Sequence, residues 1–159
     1  MKEIWNESCI LSPSLICLDM CNLEREVKTL ENSGIKMLHV DILDGHFSPS
    51  MPLGLDTVRQ LRAKTDLFFD CHVMVTEQDF FVDELLDIGV DQIVFHGETQ
   101  PHIDGMINRI HTKGVKASDP QDYKLSPSVL PYLSNSDTPS DVAESPASYY
   151  TKPPHNNPS

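Results

Sequence analysis

Between residues 9 and 117 the apolar side chains recur in two alternating rhythms. The stretches Lys36–Leu43, Asp66–Val75 and Gln92–His96 are short, rich in β-branched or aromatic residues, and predict buried strands. Residues 9–16 (Cys-Ile-Leu-Ser-Pro-Ser-Leu-Ile) predict an earlier strand with a proline break. Between these runs the period changes. Leu23, Val27 and Leu30 fall at i, i+4 and i+7 and predict a helix over about 21–33. A second helix is expected over about 55–64, after a polar loop through Gly45, Pro49 and Pro52. Thr76 and Asp79 suit a third helix start, with Val82, Leu85 and Leu86 as its apolar face. Pro101 suits the first turn of a fourth, whose stripe is Ile103, Met106, Ile107 and Ile110.

A small repeat links these elements. Gly34-Ile35-Lys36, Gly89-Val90-Asp91 and Gly114-Val115-Lys116 each end a helix and open a strand. A glycine takes the left-handed position that closes a helix, and a β-branched residue then enters the sheet. Strands alternating with helices of this length predict βαβ units and a parallel sheet. The pattern gives four βα units, and Val115-Lys116-Ala117 opens a fifth strand.

Near residue 117 the composition changes. All seven glycines and all six phenylalanines lie before that point, whereas residues 118–159 hold eight of the twelve prolines and nine serines. Such a segment buries too little apolar surface to offset its chain entropy. The expected organisation is therefore a folded unit over 1–117 and a Ser/Pro-rich, disordered tail over 118–159. The formal charge of the 159-residue chain is -12, of which -3 falls in the tail. That balance argues against nucleic acid and against an anionic membrane surface. No run of about 18 apolar residues spans a bilayer, and the acidic N-terminus has no signal-peptide core. A cytoplasmic location is expected. The cysteines at 9, 17, 21 and 71 include a C-x3-C pair rather than C-x-x-C. They are expected to be reduced thiols packed as small hydrophobes.

The chemistry lies on the strand ends. Side chains alternate across a strand, so His39 and Asp41 share a face, as do Asp70, His72 and Met74. Strand four ends in His96, and strand one carries Ser12 and Ser14. Strands covered on both faces are almost wholly apolar, so these polar groups are costly unless paired or metal-bound. Three imidazoles, two carboxylates and two hydroxyls converge at one edge. A single histidine there would be read as a satisfied core residue. His39, Asp41 and His72 together form an N/O donor set suited to Zn²⁺, Fe²⁺, Mn²⁺ or Co²⁺. Asp44, His46, His102 and His111 have weaker cases; His102 and His111 are expected on the solvent face of helix four.

Three motifs carry a resemblance: Leu11-Ser12-Pro13-Ser14-Leu15, His39-Val40-Asp41-Ile42-Leu43-Asp44-Gly45-His46-Phe47, and Asp70-Cys71-His72-Val73-Met74-Val75. In order and spacing, through about residue 117, the chain resembles the ribulose-phosphate 3-epimerase family. The run Ser14-Leu15-Ile16-Cys17-Leu18-Asp19 and the Asp-Cys-His string also resemble its allulose-6-phosphate 3-epimerase branch. Ser48 and Ser50 stand where that family commonly has Val and Asn.

The resemblance implies an α/β fold of partial (β/α)8 TIM-barrel type, its first four βα units, followed by the disordered tail. Such a barrel typically needs about 250 residues. It implies an isomerase of carbohydrate metabolism and the pentose phosphate pathway that interconverts D-ribulose 5-phosphate and D-xylulose 5-phosphate. The family reaction moves a proton at C3 of a ketose phosphate with a divalent metal as Lewis acid. His39, Asp41 and His72 would be metal ligands, with Asp41 also an acid/base. Ser14, His72 and Met74 would meet the substrate, Met74 as part of an apolar wall. The family's fourth ligand, an Asp on a later strand and its second acid/base, has no counterpart. Asp119, Asp122, Asp137 and Asp141 of the tail lie in no matching motif. The Gly-rich phosphate loops have none either, since no glycine follows Gly114. A chain truncated by an alternative or out-of-frame terminus is thus expected, with impaired activity. The alternatives are allulose-6-phosphate 3-epimerase, a non-catalytic remnant and a partner-binding fragment. A homo-oligomer is left open.

Overall fold

A computed structural model of the chain describes Ile4, residues 9–118 and the backbone of Ser148–Tyr150. Its elements run in the order β1 (Ile10–Ser12), α1 (Leu23–Asn32), β2 (Met37–Leu43), α2 (Leu55–Arg62), β3 (Phe68–Met74), α3 (Gln78–Ile88), β4 (Gln92–Phe95), α4 (Ile103–Thr112), β5 (Lys116–Ser118) and β6 (Ser148–Tyr150). The strand order of the main sheet is β2-β3-β4-β5, and every pairing in it is parallel. This is the α/β arrangement that the alternation of rhythms predicts. No helix among the described residues is long and apolar enough to cross a membrane.

Each helix covers the sheet with the stripe its sequence supplies. Val27 of α1, Val58 and Leu61 of α2, Val82 and Leu85 of α3, and Met106 and Ile110 of α4 join one buried cluster. The sheet contributes Leu38, Val40 and Ile42, Phe69, Cys71 and Val73, and Ile93 and Phe95 to the same cluster. These are the alternate residues of three strands, so the helices pack on a single face. Removing a side chain of this size from water is worth about 1.5–3 kcal/mol. On the other face the sequence deposits Met37 and Phe68, which pack with Ile4 and Ile10. Above them lie the polar residues of the strand ends. The expected fourth stripe is narrower than its spacing suggests: Ile103 opens α4 and stays 43% exposed.

The glycine repeat does what its position implies. Gly34, Gly89 and Gly114 have φ of +87°, +82° and +75°. The Gly89 amide closes α3 onto the Leu85 carbonyl at 3.1 Å, and Val90 then leads into β4.

The first strand differs from the expected 9–16. Only Ile10–Ser12 is extended in a ladder, and it pairs antiparallel with β6, not with β2. Pro13 has no N–H to continue a ladder. Its carbonyl still accepts from the His39 amide at 3.0 Å, and a single parallel bridge joins Ser14 to His39. That bridge places Ser14 beside the polar end of β2. Helix α1 starts at Leu23, after two 3-10 turns at Leu15–Cys17 and Met20–Asn22. In the expected tail, Ser148–Tyr150 form β6; the rest of 119–159 lies outside the described residues. The cysteines also part from expectation: Cys71 is buried, but Cys9, Cys17 and Cys21 are exposed.

Candidate metal centre

Register decides which strand-end residues meet. In the β2–β3 ladder His39 lies opposite Asp70, and Asp41 lies opposite His72. The next same-face pair is Leu43 and Met74. His39 Nε2 lies 3.0 Å from Asp41 Oδ1, and His72 Nδ1 lies 3.7 Å from that same oxygen. One donor atom from each residue falls within 4.8 Å of the others. Ligands about 2.1 Å from a tetrahedral ion stand roughly 3.4 Å apart. The two separations from Asp41 Oδ1 straddle that value, and all three donor atoms lie within 4.8 Å of one another, so the set suits a divalent ion. Among the described residues this is the one group of three or more potential ligands so arranged.

The remaining atoms of these side chains are already engaged. Ser14 Oγ donates to Asp41 Oδ2 at 2.8 Å, which leaves Oδ1 turned to the two imidazoles. His39 Nδ1 donates to Asp70 Oδ2 at 2.9 Å. An ionised carboxylate only accepts, so this contact puts a proton on Nδ1 and aims Nε2 into the cluster. Asp70 has 0% exposure. Outer carboxylates of this kind fix the tautomer of a ligating histidine. On His72 the outer nitrogen, Nε2, meets Nε2 of His96 at 2.9 Å.

The electrostatics follow from this crowding. For His39, burial disfavours the imidazolium, but hydrogen bonds to Asp41 and Asp70 outweigh it and raise the pKa to about 10. For Asp41, burial pushes toward the neutral acid. Hydrogen bonds from His39, His72 and Ser14 prevail and hold the carboxyl well below the usual carboxylate range. A cation at this position would replace the proton on His39 Nε2.

The other residues singled out in the sequence separate clearly. Met74 is half-buried one step beyond His72 on the same face. Ser12 is buried, and its hydroxyl has no hydrogen-bond partner among the described residues. His46, His102 and His111 are exposed and stand outside the cluster. Asp44, given a weak case in the sequence, anchors the loop after β2. It accepts from the amides of His46, Phe47 and Thr76 and from the Thr76 hydroxyl, each at 2.8 Å. These bonds outweigh burial and hold its carboxyl well below the ordinary range.

Two roles had no distinct sequence signal. Asp70 read only as one more polar strand residue. Its sequence distance of 31 from His39 conceals a direct contact. Gln78 lies between Thr76 and Asp79, the two residues that mark the helix start, and carries no signal of its own. It is buried and donates to the His96 carbonyl at 2.8 Å and to the Thr99 hydroxyl.

The sequence model of the ribulose-phosphate 3 epimerase family matches residues 10–132. The chain belongs to the ribulose-phosphate 3-epimerase family. The match takes in all three strand-end motifs and runs past Ala117, where the composition changes. The chain is 38% identical over 109 residues to a ribulose-phosphate 3-epimerase of Treponema pallidum, covering 69% of this chain and 50% of that protein. It is 38% identical over 108 residues to the Schizosaccharomyces pombe epimerase, covering 66% and 47%. To the Bacillus subtilis epimerase it is 36% identical over 107 residues, covering 67% and 49%. The chain thus spans about half the length of these curated relatives.

Proposed function

We propose that the four βα units are a sector of a (β/α)8 barrel, and that His39, Asp41 and His72 hold a divalent metal for proton transfer at C3 of a ketose phosphate. The observation that carries this reading is the close approach of three ligand atoms on adjacent parallel strands, in a chain of epimerase lineage. Helices on one face only, with polar groups at the strand C-termini of the other, suit a barrel wall with its site at that end.

The metal, when bound, supplies Lewis acidity toward the C2 carbonyl and so acidifies C3–H. Asp41 accepts that proton as the carboxylate. Its depressed pKa keeps it ionised and makes it a weak base, so it depends on an acidified substrate. The C3–H electron pair moves into the C2 carbonyl as Asp41 takes the proton, and the step reverses when Asp41 returns it. Ser14 orients Asp41 through Oδ2 and offers its hydroxyl to the substrate. His72 bounds the same space, and Met74 provides part of an apolar wall over the reacting carbon.

D-Ribulose 5-phosphate is the preferred substrate on this reading, as the names of the relatives suggest. D-Allulose 6-phosphate is the second, favoured by the Asp70-Cys71-His72 string. Among the described residues Asp41 is the single carboxylate of the triad. It works on one face of C3, which supports exchange without inversion and hence impaired epimerisation.

Incubation of the chain with Zn²⁺ or Co²⁺ and each ketose phosphate in D₂O tests this. The expected result is metal-dependent deuteration at C3 with little xylulose 5-phosphate. Efficient epimerisation would contradict the one-base reading. Neither exchange nor metal uptake would leave the chain a non-catalytic, partner-binding protein.

A further inference from the structure

Two side chains beside the triad take no part in the proton transfer above. His96 follows β4 directly, and Glu98 lies on the 3-10 turn Gly97–Thr99. His96 Nδ1 stands 2.9 Å from Glu98 Oε1, and His96 Nε2 stands 2.9 Å from His72 Nε2. The His72 and His96 rings are nearly parallel, at 18°, with centroids 5.0 Å apart. Face-to-face rings keep their atoms at least about 3.5 Å apart. An N–N distance of 2.9 Å therefore means that the rings meet edge to edge, as an in-plane hydrogen bond requires.

We propose that Glu98 and His96 form a positioning relay for His72, fixing the tautomer and ring orientation in which His72 offers Nδ1 to the metal. The inference rests on the metal reading of the triad and deepens it. With Nδ1 of His72 given to the metal and both rings neutral, the proton inventory admits one self-consistent pattern. Glu98 can only accept, so His96 carries its proton on Nδ1. His96 Nε2 is then a lone pair, and it accepts from His72 Nε2–H. With an ion in place of the Nδ1 proton that faces Asp41 Oδ1 at 3.7 Å, the remaining proton of His72 is thereby held on Nε2 and Nδ1 stays open to the ion. Without His96, nothing in this chain of contacts stops the His72 proton from moving to Nδ1, where it would block coordination.

His96 is held well enough to do this. Phe47 packs against its ring at a centroid distance of 4.8 Å. Gln78 fixes its carbonyl. The two ligating histidines are thus braced unequally. His39 meets a fully buried carboxylate directly. His72 reaches one through a second imidazole, and the Glu98 side chain is 64% exposed. The His72 side should therefore be the weaker brace and the more salt-sensitive one.

The test uses the full chain and four variants, with Zn²⁺ affinity measured against a chromophoric chelator and the visible spectrum of the Co²⁺ form. His96→Leu removes the acceptor and should weaken Zn²⁺ binding about 10–100-fold, with an altered Co²⁺ spectrum. His96→Gln, which can place an oxygen where Nε2 stood, should restore affinity to within about threefold of wild type. Glu98→Gln should weaken binding by about 3–10-fold. Glu98→Ala should weaken it at least as much. If His96→Leu does not fold, the exposed Glu98 pair decides the matter. Wild-type affinity and spectrum in both Glu98 variants and in His96→Leu would overturn the relay while leaving the metal site standing. Loss in His96→Leu that His96→Gln fails to recover would reduce His96 to packing and overturn it too. A wild-type chain that takes up no metal would overturn the triad and the relay together.

Discussion

Asp70→Asn isolates the brace on His39 with almost no change of shape. Asp70 is fully buried, and its Oδ2 accepts from His39 Nδ1 at 2.9 Å. The substitution opens no cavity and keeps an oxygen at the same place, so the packing against β2 and β4 survives. What changes is the charge of the acceptor. A hydrogen bond to an ionised group is worth about 1.5–3 kcal/mol, and a neutral one about 0.5–1.5 kcal/mol. The loss is therefore roughly 1–2 kcal/mol, or about 5- to 30-fold in an equilibrium constant. The new amide hydrogens must also find acceptors in a dry site, which adds to the cost. Together these place the loss of Zn²⁺ affinity at about 10–100-fold, the range for removal of an outer carboxylate from a ligating histidine. Chelator competition on wild type and variant measures it directly, with circular dichroism confirming that both are folded. A folded Asp70→Asn chain that binds Zn²⁺ as tightly as wild type would refute the reasoning. Asp70 would then be a buried structural acid with no hold on the ligand.

Four further outcomes follow from the same geometry. In chain stripped of metal with EDTA, the pKa of His39 rises from 6.5 to about 10 on folding. Its stabilisation is complete below pH 6.5 and is lost as pH climbs toward 10, while that of Asp41, whose folded pKa is depressed, is present above pH 3.8 and lost below it. The urea midpoint should thus peak between those limits, and a midpoint still rising at pH 9 would contradict the pairing. Ser14→Ala removes a buried bond to Asp41 and should slow C3 deuteration about tenfold, with Zn²⁺ affinity changed less; unchanged exchange would clear Ser14 of a role. Gly89→Ala puts a side chain at φ +82° with no atom within 4 Å of the added carbon. Urea denaturation should show a loss of about 1–2 kcal/mol from backbone strain alone, and a neutral result would contradict the left-handed cap. Iodoacetamide should modify Cys9, Cys17 and Cys21 in the native chain and spare Cys71, which burial both hides and holds as the thiol; prompt labelling of Cys71 would contradict the core packing.

The sequence carries most of the architecture because the two rhythms are unambiguous. Val27, Leu85 and Ile110 each belong to a predicted stripe and are 0–1% exposed. The triad was legible for a related reason: a histidine and an aspartate on one face of an apolar strand have no bland explanation unless a partner strand supplies one. What the sequence hid is three-dimensional. The short β1 depends on Pro13, whose missing N–H breaks the ladder while its carbonyl still holds β2. The contact between Asp70 and His39 depends on the register of β2 against β3, which no local pattern specifies. The exposure of Cys17 and Cys21 follows from the 3-10 turns that precede α1, where periodicity is too short to read.

The central claim is that His39, Asp41 and His72 hold a divalent ion. X-ray absorption at the zinc edge of the loaded chain tests it most directly. The expected spectrum shows two imidazole nitrogens at about 2.0–2.1 Å and carboxylate oxygen at about 2.0–2.2 Å, with no sulfur. A shell of sulfur near about 2.3 Å would place the metal on the exposed cysteines instead and contradict the account.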